Sequence, residues 1–275
     1  MTETLDAGRI TEGVLPALRP LLRQVTVLDE VDSTNRCLDR MAPSERHGHA
    51  VIADRQTAGR GRRDRRWHSP AGGNLYFSLG WRFRCADLPL STLPLLAAVA
   101  TAEALRRFGL TGHGIKWPND ILVEGKKLAG ILVELRSAGA DTSAIIGIGI
   151  NLDMPESNVE DPAQSIDRPW TDLATSMSEP SVARERNRVA TLLLDQLLAS
   201  LQRFETSGFS SFRGAWGRYD VLNGSSVTLE TEAGPVGGRA IGISDRGELR
   251  VEKDDGAVII CNAGEVRVFR GTRTF

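Results

Sequence analysis

Five arginines fall between Arg60 and Arg66, in the stretch AGRGRRDRRW that ends at Trp67. Arginine offers a planar set of donors that suits phosphate and carboxylate groups. The glycines at positions 59 and 61 allow backbone angles that bring amide groups close to a ligand. Because the whole chain has a formal net charge of only −1, the stretch predicts a local anion site. Nucleic acid, a small anionic ligand and a solvated surface loop are the three interpretations open at this point.

A second motif, IKWPND, places Lys116 at the end of an apolar run and Asn119 and Asp120 at the following turn. A lysine in apolar surroundings is costly without an anionic partner. A cation for phosphate, an amide for a polar edge and a carboxylate oxygen for Mg²⁺ are what a nucleotide with its metal requires. The alternative interpretation is an ordinary strand end followed by turn residues.

Two further stretches carry glycine inside apolar strands. GKKLAGILVEL places Lys127 before a run that contains Gly130, and GIGIN contains Gly147 and Gly149. Glycine within a strand often marks the close approach of a ligand or of another backbone. GIGIN lacks the third glycine and the helix of a dinucleotide-binding fingerprint, and no GxxxxGK[ST] phosphate loop occurs, which excludes a Walker-type ATPase.

Composition narrows the class of protein. Hydrophobic residues make up 41% and charged residues 25% of the 275 positions, as in ordinary soluble globular proteins. Three widely spaced cysteines predict reduced thiols and a cytoplasmic protein rather than a disulfide or zinc framework. The start of the chain does not read as a signal peptide, and no apolar run approaches the roughly 18 residues of a membrane span. His47 and His49 lack a third metal ligand and are predicted to be solvated.

The elements that must position these residues follow from hydrophobic periodicity. Helices are predicted at Leu15–Arg23, from an N-cap within Asp32–Asn35 to about Ala42, at Leu90–Phe108 and at Val182–Phe204. Strands are predicted at Val25–Val31, Val51–Ala53, Leu75–Phe83, Gly114–Trp117, Ile121–Val123, Leu128–Arg136 and Ser143–Asn151. The stretches Gln56–Gly73 and Met154–Pro169 are predicted loops, and loops of that length tend to be functional or mobile.

The pattern of residues changes from Gly224 onward. Five short strand-like runs follow, separated by turn signals, and they predict a small antiparallel barrel. The runs are Val227–Glu230, Arg239–Ile243, Glu248–Glu252, Ala257–Cys261 and Glu265–Phe269. About 24 residues precede the first strand, which is too few for a three-helix DNA-reading domain.

Taken in order, these motifs resemble those of the biotin protein ligases. The motifs are DSTN (32–35), QTAGRGRRDRRWHSP (56–70), NLYFSL (74–79), KWPND (116–120), KLAGILVE (127–134) and GIGIN (147–151). The resemblance implies an α+β fold, with a mixed β-sheet and flanking helices of the class II aminoacyl-tRNA synthetase type over 1–222. It also implies an SH3-like barrel over 223–275. The implied activity joins biotin and MgATP into biotinyl-5′-AMP and transfers biotin to a lysine of the biotin carboxyl carrier protein of acetyl-CoA carboxylase.

The resemblance also implies roles for individual residues. Arg62, Lys116 and Lys127 are the expected catalytic residues. Biotin is expected to contact Ser33, Thr34, Asn35, Gln56, Gly59, Arg60, Arg62, Trp67, Lys127, Gly130 and Gly149. ATP and the adenylate are expected to contact Arg60, Arg62, Trp67, Lys116, Asn119, Asp120, Asn151 and Trp170. Asp120 is the candidate Mg²⁺ ligand. For Ser33 and Asn35 helix capping is the alternative role, and for Trp170 it is packing at a domain junction.

Several points stay open at the level of sequence. Asp64 stands where the family usually has glycine, so it adds a charge and a Cβ to the arginine loop. Arg267 or Arg270 of the last strand could approach ATP, with ordinary surface charge as the alternative. A biotin-responsive repressor and a lipoate-type acyltransferase are the competing functions; the short stretch before the first strand disfavours the first, and the GRGRR and KWPND motifs disfavour the second. No DNA or membrane partner is expected, and both a monomer and a homodimer are compatible with the sequence.

Overall fold

The computed structural model describes residues 3–84, 88–138, 141–154, 169–231, 234–262 and 264–268. Within this part of the chain, seven strands form one sheet in the order β1-β2-β3-β7-β6-β5-β4. They are β1 (Gln24–Val31), β2 (His49–Gln56), β3 (Asn74–Phe83), β4 (His113–Lys116), β5 (Asp120–Val123), β6 (Lys126–Ala138) and β7 (Asp141–Asn151). The pair β1–β2 is parallel and the other pairs are antiparallel. The sheet is therefore mixed, as predicted.

Helices cover the two faces of this sheet unequally. The described helices are α1 (Ala7–Gly13), α2 (Thr34–Asp39), α3 (Pro43–Arg46), α4 (Leu93–Phe108), α5 (Leu173–Ser176), α6 (Arg186–Ser207) and α7 (Arg213–Tyr219). The long helices α4 and α6 pack on each other and on the sheet to form the main core. On the other face, α2 covers only a small apolar cluster of Leu38, Val51 and Ile145. Part of the same face, beside α2, lines a small cavity with polar residues.

Strand β3 is buried more completely than its sequence predicts. Apolar residues at every second position from Leu75 to Phe83 are typical of a strand with one buried face, yet nine of its ten residues are buried and Arg82 alone is exposed. The cause is its position between β2 and β7, with α6 on one face and α2 on the other. A polar residue on this strand must therefore find a hydrogen-bond partner inside the protein.

Two predictions for the first 50 residues are wrong. The first helix spans Ala7–Gly13, where the Asp6 side chain accepts a hydrogen bond from Arg9 N. The predicted helix Leu15–Arg23 is replaced by a turn and a short 3₁₀ segment, because Pro16 and Pro20 lack the amide that a helix interior needs. The histidines are not solvated: His49 begins β2 at 7% exposure and contacts Thr26, and the ring of His47 packs on Trp81.

The five predicted C-terminal strands are confirmed. They are β8 (Ser226–Thr231), β9 (Gly234–Ile243), β10 (Leu249–Glu252), β11 (Val258–Cys261) and β12 (Glu265–Val268), and they form an antiparallel sheet in the order β11-β10-β9-β8-β12. The indole of Trp117, from the KWPND motif, donates a hydrogen bond to the carbonyl of Gly247 at 3.0 Å. This contact fixes the small sheet beside the motif. No described helix is both long enough and apolar enough to cross a membrane.

Candidate active site

Two adjoining cavities open on the face of the sheet that carries α2. The inner cavity measures about 60 Å³ and lies between α2, β2, β3, β6 and β7. The outer cavity measures about 590 Å³ and lies between residues 55–71, the KWPND turn, Lys127, Trp170 and β12. Small-molecule pockets usually exceed about 300 Å³, so the outer cavity has room for a ligand. The inner one is too small for a whole ligand in its present form.

The predicted site residues converge on these cavities. The inner cavity is lined by Ser33, Thr34, Asn35, Gln56, Arg60, Arg62, Trp67, Lys127, Gly130 and Gly149. The outer cavity is lined by Gly59, Arg62, Trp67, Lys116, Asn119, Asp120, Lys127, Asn151 and Trp170. One predicted nucleotide contact is not brought to the outer cavity: Arg60 lies on the inner one, where its guanidinium contacts Glu134 at 2.9 Å. The two cavities share Trp67 and Lys127 at their boundary.

The arginine loop is a β-hairpin rather than an irregular loop. Arg60 and Arg66 form a backbone bridge, and the amide of Trp67 donates to the carbonyl of Gly59 at 3.0 Å. The turn at its tip places Arg63 and Asp64 at φ values of 55° and 57°. Asp64 therefore occupies a left-handed position that glycine would adopt without strain, although aspartate tolerates it better than most residues.

Trp67 closes the inner cavity from the side of the hairpin. A Cβ at Gly149 would lie 2.5 Å from its indole, and one at Gly130 would lie 2.8 Å from it. The two glycines, predicted to admit a ligand, thus admit the tryptophan of the hairpin. Within the described part of the chain the buried indole Nε1 has no hydrogen-bond partner. Trp67 must shift, or the cavity must widen, before a complete ligand enters.

Lys127 lies where the two cavities meet. Its ammonium is 2.6 Å from Asp120 Oδ1 and 5.1 Å from the centre of the Trp67 ring. Backbone pairing fixes the residue, because its amide donates to Pro169 O at 2.9 Å and its carbonyl accepts from Thr171 N at 3.0 Å. The same pairing brings Trp170 to the outer cavity. A cation held in this way can approach groups in both cavities.

Two asparagines hold other parts of the site. Asn119 accepts a hydrogen bond from the Arg62 guanidinium at 3.0 Å, and its own amide donates to Ile131 O at 2.8 Å. Arg62 is thereby turned toward the KWPND turn. The amide of Asn151 donates to Thr171 O at 3.0 Å, so it supports the backbone beside Lys127 and Trp170.

The polar residues of the inner cavity form a continuous chain of hydrogen bonds. Gln56 Oε1 accepts from the amide of Thr34 at 2.9 Å, and its Nε2 donates to Ser69 at 3.1 Å. Ser78 Oγ lies 2.7 Å from Thr34 Oγ1 and 2.6 Å from Asn35 Oδ1. Ser33 is the N-cap residue of α2, but its side chain makes no capping hydrogen bond. Capping through the side chain therefore does not account for Ser33.

Glu134 on β6 joins this chain to the arginine hairpin. Its Oε2 accepts from Asn35 Nδ2 at 2.8 Å, and its Oε1 accepts from Arg60 at 2.9 Å and from Arg136 at 3.3 Å. Burial opposes ionisation of this carboxyl group, but the hydrogen bond from Asn35 and the charge of Arg60 hold its pKa below the ordinary value. Arg136 is fixed in turn by Asp39 at 2.6 Å.

Sequence reasoning assigned no role to Ser78, Glu134 or Ser69. Ser78 carried a usable signal, because a hydroxyl inside the apolar run of β3 requires a buried partner. Glu134 carried a weaker one, since a carboxylate at the end of KLAGILVE also suits a solvated strand end. Ser69 gave none, because its contact depends on how the hairpin folds back.

The structure bears on the predicted Mg²⁺ ligand, Asp120. Among the described residues no group of three or more acidic, histidine or cysteine side chains could hold a metal ion. The carboxylate of Asp120 is paired with Lys127, so the residues alone do not build a Mg²⁺ site, and the metal assignment stays a prediction.

The C-terminal region also reaches the outer cavity, through Gly264 and Val266. Arg267, in contrast, is 72% exposed and lies 3.5 Å from Glu230. Arg270 and Cys85 lie outside the described residues, as do positions 155–168 of the second predicted loop.

Comparison with known proteins identifies the family. A model of the Biotin/lipoate A/B protein ligase family matches residues 27–151, and one of the Biotin protein ligase C terminal domain matches residues 223–268. The chain is 37% identical over 231 residues to the Bifunctional ligase/repressor BirA of Escherichia coli, covering 84% of this chain and 70% of that protein. It is 32% identical over 253 residues to the Biotin--[acetyl-CoA-carboxylase] ligase of Mycobacterium tuberculosis, covering 89% and 88%.

A solved structure agrees with this assignment. The biotin protein ligase from Aquifex aeolicus in complex with biotin and ATP is 30% identical, with a TM-score of 0.72 over 90% of this chain and all of that one. The mixed sheet, its helices and the C-terminal antiparallel sheet are thus those of the biotin ligase fold. The chain belongs to the biotin protein ligase family.

Proposed function

We propose that this protein activates biotin with MgATP as biotinyl-5′-AMP and transfers the biotinyl group to a lysine of a biotin carboxyl carrier protein. One observation carries the proposal: a small cavity with hydrogen-bonded Thr34, Asn35 and Gln56 in its lining meets a large, arginine-rich cavity at Lys127. The inner cavity suits the ureido ring of biotin, whose polar groups must be paired when buried. The outer cavity suits a nucleotide, since it is lined by several arginines, by Lys116 and by Trp170.

In the first step a carboxylate oxygen of biotin bonds to the α-phosphorus of ATP, and pyrophosphate leaves with the electrons of the broken P–O bond. Two like charges 4 Å apart repel by about 4 kcal/mol at an effective dielectric constant near 20. Lys127, at the boundary of the cavities, and Arg62, held by Asn119, would offset that repulsion. Their contribution is positioning and stabilisation of charge.

In the second step the amine of the carrier lysine bonds to the acyl carbon, and AMP leaves with the electrons of the anhydride bond while the amine loses a proton. The mixed anhydride must be kept from water until then. The arginine hairpin covers the cavities from one side, and Trp67 supplies an apolar wall. Mg²⁺ is treated as part of the MgATP substrate, with Asp120 as its candidate protein ligand.

The test is to incubate the protein with biotin and MgATP and to measure the mass of the ligand released on denaturation. We expect biotinyl-5′-AMP, and after addition of an apo carrier domain we expect the carrier to gain the mass of one biotinyl group. Parallel reactions with lipoate in place of biotin should leave the carrier unlabelled. Lipoate labelling without biotin labelling would favour the lipoate-type acyltransferase, and absence of both adenylate and label would refute the proposal.

The relatives from Escherichia coli and Bacillus subtilis are named as bifunctional ligase/repressors. A repressor role is not part of the proposal. The described residues on which the ligase proposal rests surround cavities that suit small ligands. A shift of labelled promoter DNA at nanomolar protein, weakened steeply by salt, would add that role. Its absence would leave the ligase proposal unchanged.

A further inference from the structure

One half-buried carboxylate, Glu134, contacts both a residue that lines the inner cavity and the arginine hairpin. The Glu134 side chain is 14% exposed, and each of its oxygens accepts from a different region of the site. Oε2 accepts from Asn35 of α2, and Oε1 accepts from Arg60 at the start of the hairpin. Hydrogen bonds to a charged group are stronger than neutral ones, so Glu134 constrains both partners.

On the cavity side, Glu134 fixes the orientation of the Asn35 amide. A carboxylate only accepts, so the amide must present its nitrogen to Glu134 and its oxygen to Ser78. The backbone of β7 encloses the same amide, because a Cβ at Gly147 would overlap Asn35 Oδ1. The side chain, 3% exposed as a residue, therefore has one orientation available.

On the hairpin side, Glu134 holds Arg60, whose backbone pairs with Arg66 across the hairpin. The other limb returns to the same polar chain, since Ser69 donates to Trp67 O at 3.0 Å and accepts from Gln56 at 3.1 Å. Both limbs of the hairpin are thus linked to residues that line the inner cavity, one through Glu134 to Asn35 and the other through Ser69 to Gln56. Of these two links, the one through Glu134 includes the ion pair with Arg60, whereas the one through Ser69 is between neutral groups.

We infer that Glu134 is a positioning residue that couples occupancy of the vitamin pocket to closure of the arginine hairpin. The inference rests on the proposed function, since it takes the inner cavity to be the biotin pocket. A ligand that binds Asn35 changes its hydrogen bond to Glu134, and Glu134 in turn changes its hydrogen bond to Arg60. Loss of the carboxylate weakens biotin binding and, separately, removes the effect of biotin on the hairpin.

The test variant is Glu134→Gln, which keeps the size of the side chain. A glutamine presents one oxygen and one NH₂ group, so either Asn35 or Arg60 then faces a second donor. The matched control is Glu30→Gln, because Glu30 pairs with Arg55 at the same 2.9 Å but is 51% exposed and lines neither cavity. Two readouts are needed: the Kd for biotin by calorimetry, and the rate of trypsin cleavage at Arg62–Arg66 with and without saturating biotin.

We expect Glu134→Gln to weaken biotin binding by about 10-fold or more, as loss of a hydrogen bond to a charged group does. At saturating biotin its hairpin should be cleaved as fast as without biotin, whereas the wild type and Glu30→Gln should be protected. In a double-mutant cycle the Kd effect should vanish in an Asn35→Ala background, and the protection effect in an Arg60→Ala background.

Three outcomes would overturn the inference: wild-type Kd and protection in Glu134→Gln, a weaker Kd with full protection at saturation, or lost protection with an unchanged Kd. If Glu134→Gln does not fold, Arg60→Gln tests the same link from the hairpin, and retained protection in that variant counts against it. A wild type that binds no biotin would refute the proposed function, whereas a binding wild type with a silent Glu134→Gln would refute this inference alone.

Discussion

The two cavities of the site are built in opposite ways. Besides the hairpin, the inner cavity is formed by the start of α2 and by central strands. Ser33, Thr34 and Asn35 are each less than 5% exposed, as is Ser78, which contacts Thr34 and Asn35. The outer cavity is bounded by a hairpin whose tip, residues 63–66, is exposed. The inner cavity is preorganised, so it can select a ligand by its hydrogen-bonding groups. The outer cavity is lined by several arginines and two lysines, which a charged ligand can engage.

The difference indicates how the work of a ligase is divided. Discrimination between vitamins needs fixed donors and acceptors, since a site built to pair polar groups rejects ligands that lack them. Enclosure of a reactive adenylate needs a part that opens and closes. The comparison predicts that changes at the boundary affect chemistry most, changes in the inner cavity affect vitamin affinity, and changes at the hairpin tip affect little.

The largest effect is expected at the boundary. Lys127→Ala should slow formation of the adenylate by about 10²–10³-fold, since removing one electrostatic donor from a catalytic site costs that much. Lys126→Ala is the matched control, because Lys126 is the neighbouring lysine and is exposed. Pyrophosphate exchange measures the step directly. Similar rates for the two variants would contradict the placement of Lys127 at the reacting groups.

An intermediate effect is expected inside the inner cavity. Gly147→Ala should displace the Asn35 amide, because the added Cβ would overlap its oxygen, and overpacking of this kind costs about 1–3 kcal/mol. We expect the Kd for biotin to rise by about 10-fold, as calorimetry would measure. Gly237→Ala is the control, since a Cβ there meets nothing within 4 Å. An unchanged Kd for Gly147→Ala would mean that the inner cavity is less rigid than described.

The smallest effect is expected at the hairpin tip. Asp64→Gly should raise the free energy of unfolding by less than about 1 kcal/mol, since glycine relieves the left-handed strain but also gains freedom in the unfolded chain. The Kd for biotin should not change, because Asp64 is exposed and lines neither cavity. Denaturant titration and calorimetry measure the two quantities. A 10-fold change in Kd would show that the tip contributes to vitamin selection.

The convergence of residues on the two cavities could be predicted because the motifs that carry the family resemblance also carry most of the residues that line them. Positions as far apart as Ser33 and Trp170 line the two cavities as expected. Such motifs preserve residue identity and order, and the sheet then brings them together. The separation into domains at 222/223, the oligomeric state and the cytoplasmic location remain predictions.

What could not be predicted depends on pairing between distant segments. Glu134 reaches Arg60 only because β6 lies beside β7 in one register and the hairpin folds back over both. The fold of the hairpin was missed because the arginine-rich stretch has no strand propensity of its own. His49 was assigned to solvent because the strand signal began two residues later, at Val51, whereas β2 begins at His49 itself.

The indole N–H of Trp67 has a consequence for the resting enzyme. A buried donor without an acceptor is unfavourable by about 1–3 kcal/mol, and Trp67 Nε1 is such a donor among the described residues. A ligand oxygen placed within hydrogen-bond distance of this nitrogen would remove that unfavourable contribution. A molecule that enters and accepts this hydrogen bond offsets part of the work of moving the ring, and the hairpin can then close over it.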